Sequence, residues 1–440
     1  MYKTDVRQYE AMITTLVIAI VTVALFLVSV LFCPAVGKSR KIKIYPFIPL
    51  LGGILTVAFG DITVSDVVVS FTENTSVNPI KILVLFLSMT VYSLILDKTG
   101  FFGYISGVVL KHSGHRQIKV FLLLYAVISV LTIFPSNDIV ILTFTPFICH
   151  FCRSAKIDVI PYLIMEFVTA NTWSLFLLIG NPTNIYISGA FDISFNEYIV
   201  NMALPTIAAG LVSLGVMMIL FGKKLGKPVN TIVHVQEIND KPLMTVALIH
   251  LIGCILLLAV SQYTGIEMWL LSFGVATSAV VCSLIILAVR KKKFTPLTDA
   301  LKGMPFEIIP FVIGMFIIVL GLDRSGVTQF VANLLEGGNG VLVYGLASLF
   351  SSNLLNNIPM SVLFSKILAS SSSLPEVFAT IAGSNIGAFI TPVGALAGIM
   401  WSNLIKQNKV KMSVGRFVVY GMTIGIPTMV ASLVVIMLVV

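Results

Sequence analysis

The sequence predicts an all-α polytopic membrane protein built as an inverted-topology repeat, with about ten transmembrane spans, two re-entrant hairpins and two broken helices. Three observations lead there. The chain is 57% hydrophobic and 11% charged over 440 residues, against roughly 25% charged residues in an ordinary soluble domain. Its apolar blocks run to about 20 residues, which at about 1.5 Å per residue match a hydrocarbon core about 30 Å thick. One unusual stretch also occurs twice, as NTWSLFLLIGNPTN from Asn171 to Asn184 and as NIGAFITPVGALAG from Asn385 to Gly398. Each copy opens on Asn, carries Gly nine positions later, and interrupts an apolar run with proline and small polar residues.

Taken in order, the expected helical spans are 11–33, 44–60, 80–97, 157–190 (broken), 200–221, 243–260, 268–289, 306–322, 376–405 (broken) and 416–440. The first is too long for the apolar core of a cleavable signal and lacks a small-x-small exit, so it reads as a retained span. Two further apolar regions, 119–151 and 341–370, do not fit as crossings. The first divides at Pro135-Ser136-Asn137-Asp138 into arms of about 16 and 13 residues, each too short to cross. As a single span it would be too long, and it would set Asp138 and a proline at mid-membrane. Each region reads better as a hairpin that enters and leaves on one side.

Charge supports the hairpins. A net charge of +9 would suggest nucleic acid in a soluble protein, but in a membrane protein it reports basic residues retained on the cytoplasmic side. With two hairpins, 23 of the 28 lysines and arginines fall on one side, in clusters around Lys43, Arg116, Arg153, Lys224, Lys292 and Lys409. A single crossing at 119–151 would instead put the 223–241 cluster outside. The first hairpin then opens from the cytoplasm and the second from outside, dividing the chain into a first repeat (1–221), a cytoplasmic linker (222–242) and a second, inverted repeat (243–440). Residues repeat as well. LDKTG at 96–100 answers LDRSG at 322–326, Asn137-Asp138 answers Asn356-Asn357, and Asn171 answers Asn385, at offsets of 226, 219 and 214. Asp97 and Asp323 in the matched turns read as structural, each closing a helix end beside its own Lys98 or Arg324.

The candidate site lies where these features break the helices. Unwound backbone at membrane depth is tolerated only where it is buried in protein or lines a water-filled cavity, and matched breaks in two halves point to a transporter's binding site. The hairpin tips supply Ser136, Asn137 and Asp138 in one half and Asn353, Asn356 and Asn357 in the other. The broken helices supply Asn171, Ser174, Gly180, Asn181, Thr183 and Asn184, answered by Ser384, Asn385, Thr391 and Gly394. A helix starting at a tip offers free N–H groups and a positive dipole end, while Asn and Ser offer neutral oxygens. Helix capping is the plainer role for either tip alone. Asp138 is the sharpest residue, because an ionisable group at this depth is costly and marks function by default. Burial disfavours its charge and a bound cation favours it, as proton or cation coupling requires. Glu166, about one turn before Asn171, is a second intramembrane acid and a second candidate for proton coupling.

Other chemistries find no foothold. The five cysteines show no paired spacing outside the membrane. Cys149-His150-Phe151-Cys152 lacks the second half of a zinc site, so packing is the expected role and no metal or cofactor is expected. Gly37-Lys38-Ser39 resembles the end of a phosphate-binding loop, but the earlier glycine position is Phe32. No His-Glu-x-x-His or Gly-x-Ser-x-Gly motif supports an enzyme. A channel would want one continuous polar lining, whereas polarity here is concentrated at four breaks.

The Asn-Asp hairpin, the run Asn171-(x)8-Gly180-Asn181-Pro182-x-Asn184, Asn356-Asn357-Ile358-Pro359 and the stretch Asn385 to Gly394 together resemble the ion transporter superfamily over nearly the whole chain. The arsenical pump membrane protein branch is the most similar part of it, alongside the bacterial sodium/proton antiporters and the melanosomal P protein. The resemblance implies a multi-pass plasma-membrane protein, as in a bacterial inner membrane, with a homodimeric scaffold of interface spans and a mobile unit of hairpins and broken helices. It implies substrate and coupling-ion positions at Asn137, Asp138, Asn171, Gly180 and Asn181, and at Asn356, Asn357, Asn385, Thr391 and Gly394. Dicarboxylate symporters of the superfamily carry Ser-Asn-Thr at both tips, where this chain has Ser136-Asn137-Asp138 and Asn356-Asn357-Ile358. The first break also has Leu177-Leu178 where the second has Thr391-Pro392. An aspartate beside a divalent anion would repel it, since two unit charges 4 Å apart interact by about 4 kcal/mol at an effective dielectric near 20. Arsenite, largely an uncharged trihydroxide in water, suits neutral Asn and Ser groups and leaves a carboxylate to carry a counter-transported proton. The same carboxylate suits a sodium/proton exchanger, so proton and sodium both stand as coupling ions.

Overall fold

The computed structural model describes residues 2–32, 35–36, 42–60, 62–74, 78–111, 114, 116–134, 137–229, 237–369 and 373–440. The first half comprises α1 (Tyr2–Phe32), α2 (Phe47–Phe59), α3 (Val64–Thr72), α4 (Pro79–Lys98), α5 (Phe101–Lys111), α6 (Gln117–Ile133), α7 (Asn137–Ser154), α8 (Ile160–Trp173), α9 (Pro182–Ala190) and α10 (Phe195–Leu225), with a 3-10 turn at Leu178–Gly180. The second comprises α11 (Lys241–Ala259), α12 (Ser261–Thr264), α13 (Met268–Val289), α14 (Thr295–Lys302), α15 (Ile308–Arg324), α16 (Val327–Leu335), α17 (Gly340–Leu355), α18 (Asn357–Leu368), α19 (Leu374–Gly387), α20 (Leu396–Gln407) and α21 (Val414–Val439). Two two-residue strands, β1 (Ala35–Val36) and β2 (Ile42–Lys43), pair antiparallel between α1 and α2. Apart from that short pairing the regular structure is helical, and the protein is a multi-pass membrane protein.

The helix starts follow from local chemistry. Asn78 caps α4 through its side-chain oxygen, with Pro79 in the first turn, and Ser194, Asp240 and Ser413 cap α10, α11 and α21 in the same manner. Asp240 also binds Arg290 at 2.5 Å and Lys292 at 2.9 Å. Burial alone would raise its pKa, but hydrogen bonds from Lys292, Arg290 and the Leu243 N–H outweigh it and hold the carboxyl below its ordinary value.

Among the described residues six helices, α1, α4, α10, α11, α13 and α21, are long and apolar enough to cross a membrane singly, and α15 with α16 forms a further candidate bent by 76°. The two broken spans break where expected, α8 ending at Trp173 and α19 at Gly387. The expected span 44–60 is shorter than a crossing. Its helix, α2, has 13 residues, which at about 1.5 Å per residue is about 20 Å. Instead of standing alone it packs closely on α15. A Cβ built on Gly314 would lie 2.2 Å from the Leu50 nitrogen and the Pro49 carbonyl carbon, backbone atoms that cannot swing aside. Gly314→Ala is therefore expected to destabilise the protein by about 1–3 kcal/mol through overpacking, read as earlier thermal unfolding in detergent. Gly274→Ala, where a Cβ meets nothing within 4 Å, should leave unfolding unchanged.

Both expected hairpins are helix pairs. In the first, α6 ends at Ile133 and α7 begins at Asn137, and in the second α17 and α18 turn at Asn356. The first begins and ends at one end of the molecule. Gln117 donates to the Pro228 carbonyl just past α10, Lys224 near the end of α10 pairs with Asp158 at 2.6 Å, and Arg153 donates to the Asn408 carbonyl at 2.8 Å. The second begins and ends at the opposite end, where Asn339 approaches Met437 and Lys366 approaches Asp323 at 3.7 Å.

Packing partners exchange under the repeat. The helix α4 lies against α11 and α13, as α15 lies against α1 and α2. The second part of each broken helix packs on the other half's hairpin, α9 on α18 and α20 on α7, and α10 packs on α21. One apolar core consequently runs through both halves.

Candidate functional site

The first hairpin tip is tied to the first broken helix through two asparagines. The Asn137 amide donates to the Asn171 side-chain oxygen at 3.2 Å, and the Asn137 oxygen accepts the Asp138 backbone N–H at 2.9 Å. Asn171 in turn donates to the Phe167 carbonyl of its own helix at 2.8 Å. Ser136 lies outside the described residues.

The two breaks meet at Asn385. Its side-chain oxygen accepts from Ser174 at 3.0 Å and from Asn181 at 2.8 Å, and its amide donates to the Asn184 oxygen at 2.7 Å and the Ile381 carbonyl at 3.0 Å, with Thr183 at 3.4 Å. Asn184 donates to the Ser174 and Leu177 carbonyls, closing the first break on itself. All five side chains are buried. Only glycine fits at position 180, because a Cβ there would lie 2.3 Å from the Ser174 carbonyl oxygen.

The second tip is stitched to the second break. Asn353 donates to the Gly387 carbonyl at 3.0 Å and accepts the Thr391 N–H at 2.9 Å. Asn356, held at φ 74°, donates to the Val393 carbonyl at 3.0 Å, and the Asn357 N–H donates to the Gly394 carbonyl at 2.9 Å. Asparagine is among the few non-glycine residues that tolerate a positive φ. The hydroxyls of Ser384 and Thr391 are buried without a protein partner.

The acids differ in setting. Asp138 lines a cavity of about 310 Å³ together with Lys43, Thr90, Glu307, Asn403 and Gln407. Glu166 is fully buried between α7, α8 and α20. One oxygen accepts from Thr145 at 2.8 Å, the other has no partner, and the Trp401 ring N–H, itself unsatisfied, faces the carboxyl. Trp401 is fixed by Phe167 and Phe417, with ring centroids 5.1 and 5.3 Å away.

The matched turns hold one surprise. Asp97 pairs with Lys98 as expected, at 2.9 Å, and also accepts from Thr143. Asp323 turns from its own arginine to Lys366 and Thr328, while Arg324 pairs with Asp66. Both aspartates thus anchor the second arm of a hairpin, through Thr143 in one half and Lys366 in the other. Cys149 and Cys152 are buried in the apolar core while His150 is exposed, so the three do not share a pocket. The structure thus unites Asn171, Ser174, Asn181, Thr183, Asn184 and Asn385 in one network, Asn353, Asn356, Asn357, Thr391 and Gly394 in a second, and leaves Asp138 facing the cavity. Sequence reasoning missed Lys43, Glu307, Asn403 and Gln407. The i, i+4 spacing of Asn403 and Gln407 was the available signal, since it sets two amides on one helix face.

Comparison with known proteins agrees with this architecture. Residues 23–383 match the family described as CitMHS, citrate transporter. An arsenical pump membrane protein of Escherichia coli is 25% identical over 403 residues, covering 87% of this chain and 91% of its own. One from Yersinia enterocolitica is 25% identical over 364 residues, 79% and 84% of the two chains, and a putative arsenical pump membrane protein of Bacillus subtilis is 24% identical over 401 residues, 83% and 88%. The crystal structure of the Alcanivorax borkumensis YdaH transporter, described as having an unusual topology, superposes with a TM-score of 0.56 at 11% identity and covers 97% of each chain, which establishes likeness of fold. With four-fifths of its length matched, the chain belongs to the citrate transporter family, a family of membrane transporters.

Proposed function

We propose that this secondary transporter carries a small uncharged oxyacid, arsenite or antimonite, out of the cytoplasm by alternating access, driven by inward movement of protons. The observation that carries the reading is Asp138, the only acid at a hairpin tip, which lines a cavity while its chain neighbour Asn137 is hydrogen-bonded to Asn171 of the first broken helix. Free hydroxyls at Ser384 and Thr391 and the neutral asparagine network suit a ligand of hydroxyl groups. The names of the bacterial relatives lean the same way. In this reading the halves are the repeats 1–221 and 243–440 joined by 222–242, both hairpins are re-entrant in the bilayer, and the unit works as a homodimer.

The family description favours a second reading, a carboxylate as cargo. Against it, among the described residues the one cation lining the Asp138 cavity, Lys43, is already paired with Glu307. Everted membrane vesicles given arsenite, sodium or citrate in parallel separate the readings. Arsenite accumulation that collapses with a protonophore supports the proposal; accumulation of citrate alone, or proton exchange driven by sodium alone, overturns it.

Membrane placement has its own test. Single cysteines introduced at Lys119 and Arg153 should react with an impermeant thiol reagent from the cytoplasmic side, and those at Asp192 and Glu336 from the other. Opposite labelling of Lys119 and Arg153 would sink the re-entrant hairpin.

A further inference from the structure

The cavity that reaches Asp138 holds a second acid. Glu307 is the N-cap of α15 and lines the same cavity, and its carboxylate pairs with Lys43, which stands ahead of α2. The pair lies where the chain turns from α14 into α15, among Gly303 and Pro305, and both side chains are partly exposed. Among the described residues, the titratable groups around Glu307 are Lys43, Asp138 and Tyr45. From α4 and α20 the cavity receives no charged group: its lining there is the polar Thr90, Asn403 and Gln407 with the apolar Phe86, Leu94, Met400 and Leu404. At about 310 Å³ it has room for about ten waters at roughly 30 Å³ each.

The opposite end of the molecule supplies a contrast. There Glu267, the N-cap of α13, pairs with Lys81 in the first turn of α4. Lys81 and Glu307 are 226 positions apart, the offset of the LDKTG and LDRSG turns that end the same two helices, so the helix start carries the base of the pair in one half and the acid in the other. The cavity beside that pair, about 240 Å³, has no hairpin-tip residue in its lining. An acid at a helix start shares a cavity with a tip acid at one end only.

We propose that Glu307 is the relay residue through which the proton on Asp138 reaches the cytoplasm, with Lys43 as its counter-ion. This rests on the proton coupling proposed above. The proton leaves the Asp138 carboxyl, crosses cavity water, adds to the Glu307 carboxylate and passes to bulk water. Asp138 is left as the carboxylate, and Glu307 returns to its pair with Lys43.

The test measures proton movement with a trapped pH dye in vesicles, using whichever of arsenite, sodium and citrate drives it in the wild type, while the pH on the cytoplasmic face is varied. Glu307→Gln should slow coupled movement about tenfold and flatten its dependence on that pH, yet keep exchange of labelled solute. Glu307→Asp should restore the dependence. Lys43→Met should stay active with its profile moved about one unit toward higher pH, since removing an opposite charge makes a carboxyl hold its proton more tightly. Glu267→Gln, which breaks the pair at the other end, should leave the profile in place. If the pair is only a clamp, Glu307→Gln and Lys43→Met fall together and the charge exchange Lys43→Glu with Glu307→Lys restores activity, which overturns the relay. An unchanged profile in Glu307→Gln also overturns it. Wild-type transport indifferent to a protonophore overturns proton coupling, and the relay with it.

Discussion

Asp138→Asn is expected to abolish uphill transport, lowering proton-driven accumulation in everted vesicles at least a hundredfold, to the level of empty membranes. The substitution keeps the size of the side chain and its capacity for hydrogen bonds while removing the group that can gain and lose a proton. The backbone N–H at this position still donates to the Asn137 oxygen, and Asn137 still reaches Asn171. Insertion, stability and exchange of an uncharged solute should therefore survive, which separates loss of coupling from loss of fold. Glu166→Gln should have a smaller effect. Glu166 is absent from the lining of the cavity that Asp138 faces and is already held by Thr145, so a neutral amide can occupy its place. Should Asp138→Asn pump with an unchanged pH profile while Glu166→Gln does not, the coupling group is Glu166 and the path runs through the interior behind α8.

The contrast between these acids shows what the sequence could reveal and what it could not. Hydropathy and the positions of lysine and arginine define the spans, because lipid enforces both rules on every segment alike. The breaks at 174–181 and 388–395 were legible for the same reason, since proline, glycine and asparagine in an apolar run have no other place in a bilayer. Contacts between halves were not legible. Asn385 binds Ser174, Asn181 and Asn184, more than 200 positions away, and no local pattern records that separation. The partner of Asp323 was missed because adjacency in sequence favoured Arg324, whereas the turn of α15 into α16 leaves Asp323 nearer Lys366 and sends Arg324 to Asp66. The short α2 has the composition of a span without the length of one. It packs on α15 at Gly314, a contact that composition cannot express.

Asn385 carries the other large expected effect, and the comparison of two substitutions makes it specific. Asn385→Ala removes the acceptor used by Ser174 and Asn181 and the donor used by Asn184. Ser174 keeps the Asn171 carbonyl, but the Asn181 amide and the Asn184 oxygen lose a partner inside the protein. A buried polar group left unpaired costs about 1–3 kcal/mol, so the loss should show as earlier thermal unfolding in detergent together with transport at background. Asn385→Asp keeps the acceptor and is nearly isosteric, yet it should fare no better. It sets an oxygen where the amide stood, against the Asn184 oxygen at 2.7 Å and the Ile381 carbonyl at 3.0 Å. Asn184 cannot turn its amide to meet it without releasing the Ser174 and Leu177 carbonyls that hold the first break in shape. Uptake and unfolding measured on both variants decide the matter: if Asn385→Asp transports and unfolds like the wild type, the junction between the two breaks is not part of the working state, and the centre of the site must be sought at the hairpin tips instead.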